Sequence, residues 1–152
     1  MSAFRMSLEG LERVLNRTAR LKRDIRRVEP PMKAAGVYMI GSVVKNFNTG
    51  GRPKKWQGLA ASTIRGRRRG KGKGGIKVLI DKGQLRNSNS MRLRAAGVEI
   101  GTNMVQAKRQ HFGYPGGSGR GHSKKPARPY MMFQDEDSDA IAVIFSRHLQ
   151  GK

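Results

Sequence analysis

Residues 84–102 read Gln-Leu-Arg-Asn-Ser-Asn-Ser-Met-Arg-Leu-Arg-Ala-Ala-Gly-Val-Glu-Ile-Gly-Thr. Within them Ser88, Ser90, Arg92 and Arg94 alternate with Asn89, Met91, Leu93 and Ala95. Successive side chains of a strand point to opposite faces, so this period of two predicts half-buried β-structure. Gln84–Arg94 and Gly97–Gly101 are read as two strands of a meander, turned at Ala95-Ala96-Gly97. The longer periodic stretches on either side carry helical spacing instead. The fold class that follows is α+β: N-terminal helices, a small antiparallel β-meander, a C-terminal helix, and long basic Gly-rich loops.

Upstream, Ser7–Val28 predicts a helix with Ser7 as its N-cap. Leu11, Val14, Thr18, Leu21, Ile25 and Val28 follow one another at spacings of three and four, the pattern of a short coiled-coil seam. Two readings fit that seam: a helix packed on its own domain, or a contact between subunits. Pro30-Pro31 stops this helix and starts the next, since proline is tolerated in a first helical turn. Met32–Phe47 predicts the second helix, with Ala34, Val37, Tyr38, Ile40, Gly41 and Val44 on one face. The division expected is an N-terminal helix over residues 1–29, able to serve as an assembly arm, and one α+β domain over residues 30–152.

Turn residues over Asn46–Pro53 break the periodicity. Ser62–Arg68 is read as a short helix with Ser62 as N-cap, and Ile76–Ile80 as a short apolar run. Met104–Phe112 fits either a short helix or a strand. Met132–Leu149 predicts a final helix carrying Ala140, Ile141, Val143, Ile144, Phe145 and Leu149.

The 152 residues hold 32 Lys and Arg against 10 Asp and Glu, a formal net charge of +22. A small soluble domain usually carries a net charge of roughly 2–8, so compaction here works against self-repulsion. Pro30–Ile80 contains 12 basic residues and no acidic one, which calls for a polyanion, an acidic protein surface or solvent screening nearby. Arg65, Arg67, Arg68 and Arg69, with Lys71 and Lys73 of the Gly70–Gly75 run, form the densest basic stretch. A second Gly-rich loop, Gly113–Ser123, carries Arg120 and leads into Lys124 and Lys125. Loops of this length are commonly functional or disordered, and these nine cations are read as facing a partner or DNA. The acidic cluster Asp135, Glu136, Asp137 and Asp139 either caps the last helix, where carboxylates suit the dipole, or meets a basic patch on a neighbouring subunit.

Catalytic chemistry finds little support. The chain has no cysteine, which excludes a disulfide scaffold, a thiolate zinc site and a thiol nucleophile. Gly66–Lys73 offers Gly-Lys pairs but no hydroxyl after them, so a phosphate-cradling P-loop is not formed. His111, His122 and His148 make no His-x-x-x-His pair, and zinc needs three or four converging ligands. No apolar run reaches the length of a membrane span, and the first residues lack the apolar core of a secretory signal. The expectation is a protein without enzymatic activity, cofactor, metal, membrane or small-molecule substrate. Nucleic-acid binding follows from charge alone, although aromatic residues, the stacking platforms of single-strand readers, are only 6% of the chain.

A string of motifs runs through the chain in order. It begins with Phe47, Gly51, Arg52, Pro53, Trp56, Leu59 and Thr63, spaced as Phe-x-x-x-Gly-Arg-Pro-x-x-Trp-x-x-Leu-x-x-x-Thr. Leu79, Ile80, Gly83, Leu85 and Ser88 follow, then Val98, Ile100, Gly101 and Thr102. His111-Phe112-Gly113 and Pro126-Ala127-Arg128-Pro129-Tyr130-Met131 complete the series. This order resembles the phage virion morphogenesis family, the tail completion proteins of Mu-like and P2-like phages, over residues 32–149. It is also distantly similar to a broader tail-component family sharing the late Gly-Thr, Phe-Gly and Arg-Pro-Phe pattern. The family's Tyr-Ala pair before His-Phe-Gly is reduced here to Ala107, and its Phe after Arg-Pro is Tyr130.

The resemblance implies a structural virion protein at the head–tail junction, needed for joining head and tail. It implies neck and tail proteins as partners, a homo-oligomeric ring or collar, and residence in the virion after assembly in the host cytoplasm. Contact with phage DNA, a basic nucleic-acid-binding role and a tail-terminator role stand beside it as alternatives. The motif residues also have physical readings as fold-maintaining positions. Trp56 and Leu59 are anchors for the long loop. Gly83 and Gly101 suit turns with positive φ. Arg128 reaches carbonyls or an acid at the start of the last helix.

Overall fold

In the computed structural model, residues 9–69, 75–94, 97–117 and 124–151 are described. Their order is α1 (Glu9–Arg26), α2 (Glu29–Thr49), α3 (Ala61–Arg69), α4 (Gln84–Asn87), β1 (Asn89–Arg94), β2 (Gly97–Thr102), α5 (Ala107–Phe112) and α6 (Asp135–Gln150). The class is α+β, and the sheet among the described residues is one antiparallel hairpin.

Helix α2 organises the fold. Prolines 30 and 31 lie in its first turn, where the missing N–H groups have no helical partner anyway. Its C-terminus is closed by Gly50 at φ 77°, with the Gly51 N–H donating to the Asn46 carbonyl at 2.8 Å. It packs on α6 and on both hairpin strands. Gly36 makes the second contact possible: a Cβ there would lie 2.6 Å from Met91 Sδ and 2.8 Å from Val98 Cγ2.

The hairpin pairs Asn89 with Thr102, Met91 with Ile100 and Leu93 with Val98. Along β1 the side chains alternate between half-buried and exposed, as the period of two requires. The first strand is shorter than expected, because Gly83 at φ 76° starts the helical turn α4 over Gln84–Asn87. The expected turn at 95–96 lies outside the described residues. The core holds Val43, Phe47, Leu85, Ala107 and Tyr130, with Trp56, Leu79, Ile80, Met104 and Met131 packed around it.

The packed face of α2 departs from the sequence reading. Ala34, Val37 and Gly41 are exposed, whereas Ala35, Gly36, Met39, Ser42, Val43, Asn46 and Phe47 are buried. Two polar residues lie inside this face, and apolar periodicity alone turned the helix the wrong way. Smaller corrections concern ends. Ala60 stands ahead of α3, its carbonyl accepting the Ile64 N–H at 3.1 Å, so Ser62 lies within the helix. Residues 107–112 are helical, and α6 begins at Asp135 rather than Met132. Gly101 is a strand residue opposite Ser90 and does not take positive φ.

Helix α1 is long but peripheral. Its side chains from Arg13 to Arg23 are all exposed. It touches α6, where the Arg20 guanidinium lies over Gly151.

Candidate functional site: a groove beside a buried polar network

Four motif residues belong to a polar network that locks the loop after α2. Gly51 is buried at φ +108°, and a Cβ would sit 2.7 Å from the Lys54 carbonyl oxygen and 2.8 Å from the Trp56 ring. Only glycine fits there. The Arg52–Pro53 bond that follows is cis. Arg52 donates from Nε to Asn46 Oδ1 at 2.8 Å. Its Nη2 donates to the Ser42 carbonyl at 2.8 Å and the Ser42 hydroxyl at 2.7 Å, and its Nη1 pairs with Glu136. Asn46, fully buried, donates to the Tyr130 carbonyl at 2.8 Å. Trp56 stands edge-on to Phe47 with ring centroids 5.9 Å apart, and its indole N–H reaches the Pro129 carbonyl at 3.1 Å.

The acidic cluster works at the start of α6. Asp137 is fully buried, and its Oδ2 accepts from the Gln134 N–H at 2.9 Å and from Ser42 Oγ at 3.0 Å. Gln134 and Asp137 thereby form a capping box. The Tyr38 hydroxyl titrates above its ordinary value, through burial first and then the nearby Asp137 charge. Of the two expectations for this cluster, helix capping is the one seen.

Beside this network lies a groove of about 1040 Å³. It brings together parts of the chain that are far apart in sequence: Leu59, Thr63 and Arg67, then Gly83 and Leu85, then Lys124, Lys125 and Arg128. The edges of both expected basic loops therefore meet at one site. The Lys125–Tyr114 bridge, with N···O distances of 2.8 and 2.9 Å, ties down the second loop at its base. Gly113 adjoins that bridge at φ +79°, its Cβ position filled by backbone of Lys125 and Ala127.

Two groove arginines are turned to structural work. Arg67 Nη1 lies 2.9, 3.0 and 3.2 Å from the carbonyls of Gly75, Lys77 and Ile80, and its Nε is 3.8 Å from Asp81. It thus holds the 75–81 turn, unlike its exposed neighbours Arg65, Arg68 and Arg69. Arg128 donates to the Gln57 and Gly58 carbonyls at 3.1–3.3 Å. It reaches carbonyls as expected, but the acid of α6 is reached by Arg52 instead. Burial, and secondarily the Arg67 charge, pushes Arg128 below the ordinary arginine value, yet arginine stays charged in proteins.

The remaining motif positions are spread over the fold. Thr102 shares a 2.6 Å hydroxyl contact with Ser88 across the hairpin. Phe112 is exposed and stacks edge-on against His111. Lys71, Lys73 and Arg120 lie outside the described residues. The sequence reading missed Lys82 and four groove glutamines, Gln57, Gln84, Gln106 and Gln110. Only the one-turn spacing of Gln106 and Gln110 signalled a shared face. Among the described residues no cluster of His, Asp and Glu is suited to a metal, and no helix is long and apolar enough to cross a membrane.

No curated protein and no solved structure matches the chain. A family model does, over residues 6–150, nearly the whole length. It describes a family of virion assembly, and its span takes in the Gly51-Arg52-Pro53 network, the hairpin, the groove and both ends of α6. The chain is a member of the phage virion morphogenesis family.

Proposed function

We propose that this protein is a structural component of the head–tail junction, a neck or tail-completion subunit without enzymatic activity that lets head and tail join. Family membership supports an assembly role. The observation that carries the finer reading is the apolar surface on α1. Val14, Leu15 and Leu21 are 59%, 58% and 43% exposed on a helix that contributes none of the core residues among the described side chains. Val14 and Leu21 keep the seam spacing, Leu15 adjoins it, and apolar residues so placed in water suit a neighbouring subunit. In this reading residues 1–29 are an assembly arm, residues 30–152 are the body, and copies form a ring or collar among other neck and tail proteins.

The test is a phage lacking the protein. Electron micrographs of its lysates should show filled heads and finished tails unjoined, and added protein should restore joining. Joined, infectious particles in those lysates would overturn the proposal, and overlong tails would mark a tail terminator instead.

A nucleic-acid-binding role has one specific support, the exposed Arg65, Arg68 and Arg69 at the end of α3. If phosphate contact is their work, replacing all three by Ala shallows the salt dependence of DNA affinity by about three phosphates' worth of slope.

A further inference from the structure

The groove contains more than positive charge. Its lining includes Leu59, Leu79, Leu85 and Pro126. Four carboxamides, Gln57, Gln84, Gln106 and Gln110, border it. A carboxamide offers a donor and an acceptor together, the pattern that pairs with a peptide unit. Lys82, Lys124 and Lys125 supply cations, and Asp81, the one carboxylate lining the groove among the described residues, faces Arg67.

We infer that this groove binds an extended acidic peptide segment of another virion protein. The inference rests on the assembly reading for the source of that segment. An extended strand presents amides along its backbone and side chains to alternate sides, which matches a lining that mixes carboxamides with apolar side chains. Lysines then pair with its carboxylates.

Nucleic acid fits this groove less well. None of its lining residues among the described ones is aromatic, so bases find no stacking platform there. The two lining arginines among the described residues, Arg67 and Arg128, are the side chains suited to bidentate phosphate contact, and they already donate to backbone carbonyls. The Gly-rich stretches of this chain do not match an acidic occupant. Its Gly-rich stretches 70–75 and 113–123 carry Lys, Arg and His but no acid. Its acidic cluster lies in the first turns of α6, with Asp137 buried and Glu136 paired to Arg52 and Lys45.

The experiment uses the full-length protein and two fluorescent probes of equal charge. One is a peptide of three Gly-Glu-Leu-Glu repeats; the other is a seven-nucleotide oligothymidylate. The peptide should bind the more tightly in anisotropy titrations. Lys82→Glu with Lys124→Glu should weaken peptide binding about tenfold or more, since like charges then face each other. Gln57→Ala with Gln106→Ala should weaken the peptide and leave the oligonucleotide unchanged. All four positions are exposed, and an unaltered circular dichroism spectrum checks the fold. No peptide binding, equal loss of both probes in the glutamine variant, or tighter oligonucleotide binding overturns the inference. Unjoined heads and tails in the protein-less phage would leave the assembly reading standing even then.

Discussion

Arg52 and Glu136 form an ion pair whose two ends differ in burial, and that difference sets what each is worth. The arginine side chain is 14% exposed and the glutamate 50%. Arg52 also holds the buried Asn46 and Ser42, so Arg52→Ala leaves acceptors unsatisfied away from water. Such a loss costs about 1.5–3 kcal/mol, because the donor is charged. Glu136→Gln removes only a solvent-screened partner, and the expected cost is below about 1 kcal/mol. Urea unfolding of the two variants should separate them clearly. His111 supplies a pH dependence. Its ring stands edge-on to Tyr130, 5.3 Å between centroids, and burial holds its pKa below the ordinary histidine value. The folded state therefore prefers neutral imidazole. Its stabilising contribution is complete above the unfolded value, about 6.5, and is lost as pH falls through the lowered folded one. His111→Gln should flatten the fall in melting temperature between neutral pH and pH 5, whatever it costs at pH 7.

Elements were legible where their pattern depended on local spacing. The alternation from Asn89 to Arg94 appears as half-buried and exposed side chains. The acids at 135–137 appear as the first turn of α6. The face of α2 was not legible, because Ser42 and Asn46 are buried by partners distant in sequence, namely Arg52, Asp137 and the Tyr130 carbonyl. Arg67 misled for a related reason: nothing in an arginine-rich run marks which member will hold a turn. The groove was half legible. Lys124 and Lys125 end a basic Gly-rich loop and line it, but the glutamines meet them only through tertiary folding. The close approach of α2 to the hairpin gives a test at this scale. Gly36→Ala gains helix propensity, up to about 1 kcal/mol. It also pushes a methyl into Val98, whose β-branched side chain has little freedom to yield. Overpacking costs about 1–3 kcal/mol, so the net change should be destabilising. Val98→Ala in the same chain should recover part of it. A double-mutant cycle on unfolding free energies reads the coupling directly, and additive effects would mean that α2 and the hairpin do not meet at these residues.

For the whole molecule, charge is the dominant unresolved stress. A net +22 is spread over a chain whose compact radius of gyration would be about 15 Å. Apart from the partly buried pairs of Arg52 and Arg67, the opposing attraction among the described residues is slight. The ion pairs Arg94–Glu99 and Lys45–Glu136 are half or more exposed at both ends and contribute little. Screening therefore relieves more repulsion than it removes attraction. The Debye length falls from about 30 Å at 0.01 M salt to about 10 Å at 0.1 M. At the lower concentration every cation feels every other; at the higher only near neighbours interact. The urea midpoint should accordingly rise with sodium chloride over that interval and level off beyond it. A midpoint that fell would show that paired charges, not excess ones, control stability. The same reasoning bears on assembly. A subunit destabilised by its own field gains stability from any neighbour that supplies acids, and release of that repulsion adds to whatever the contact itself contributes. Mixing the protein with the acidic groove peptide at 0.01 M salt should thus raise its melting temperature, and by less at 0.1 M, where solvent ions already perform the peptide's electrostatic role.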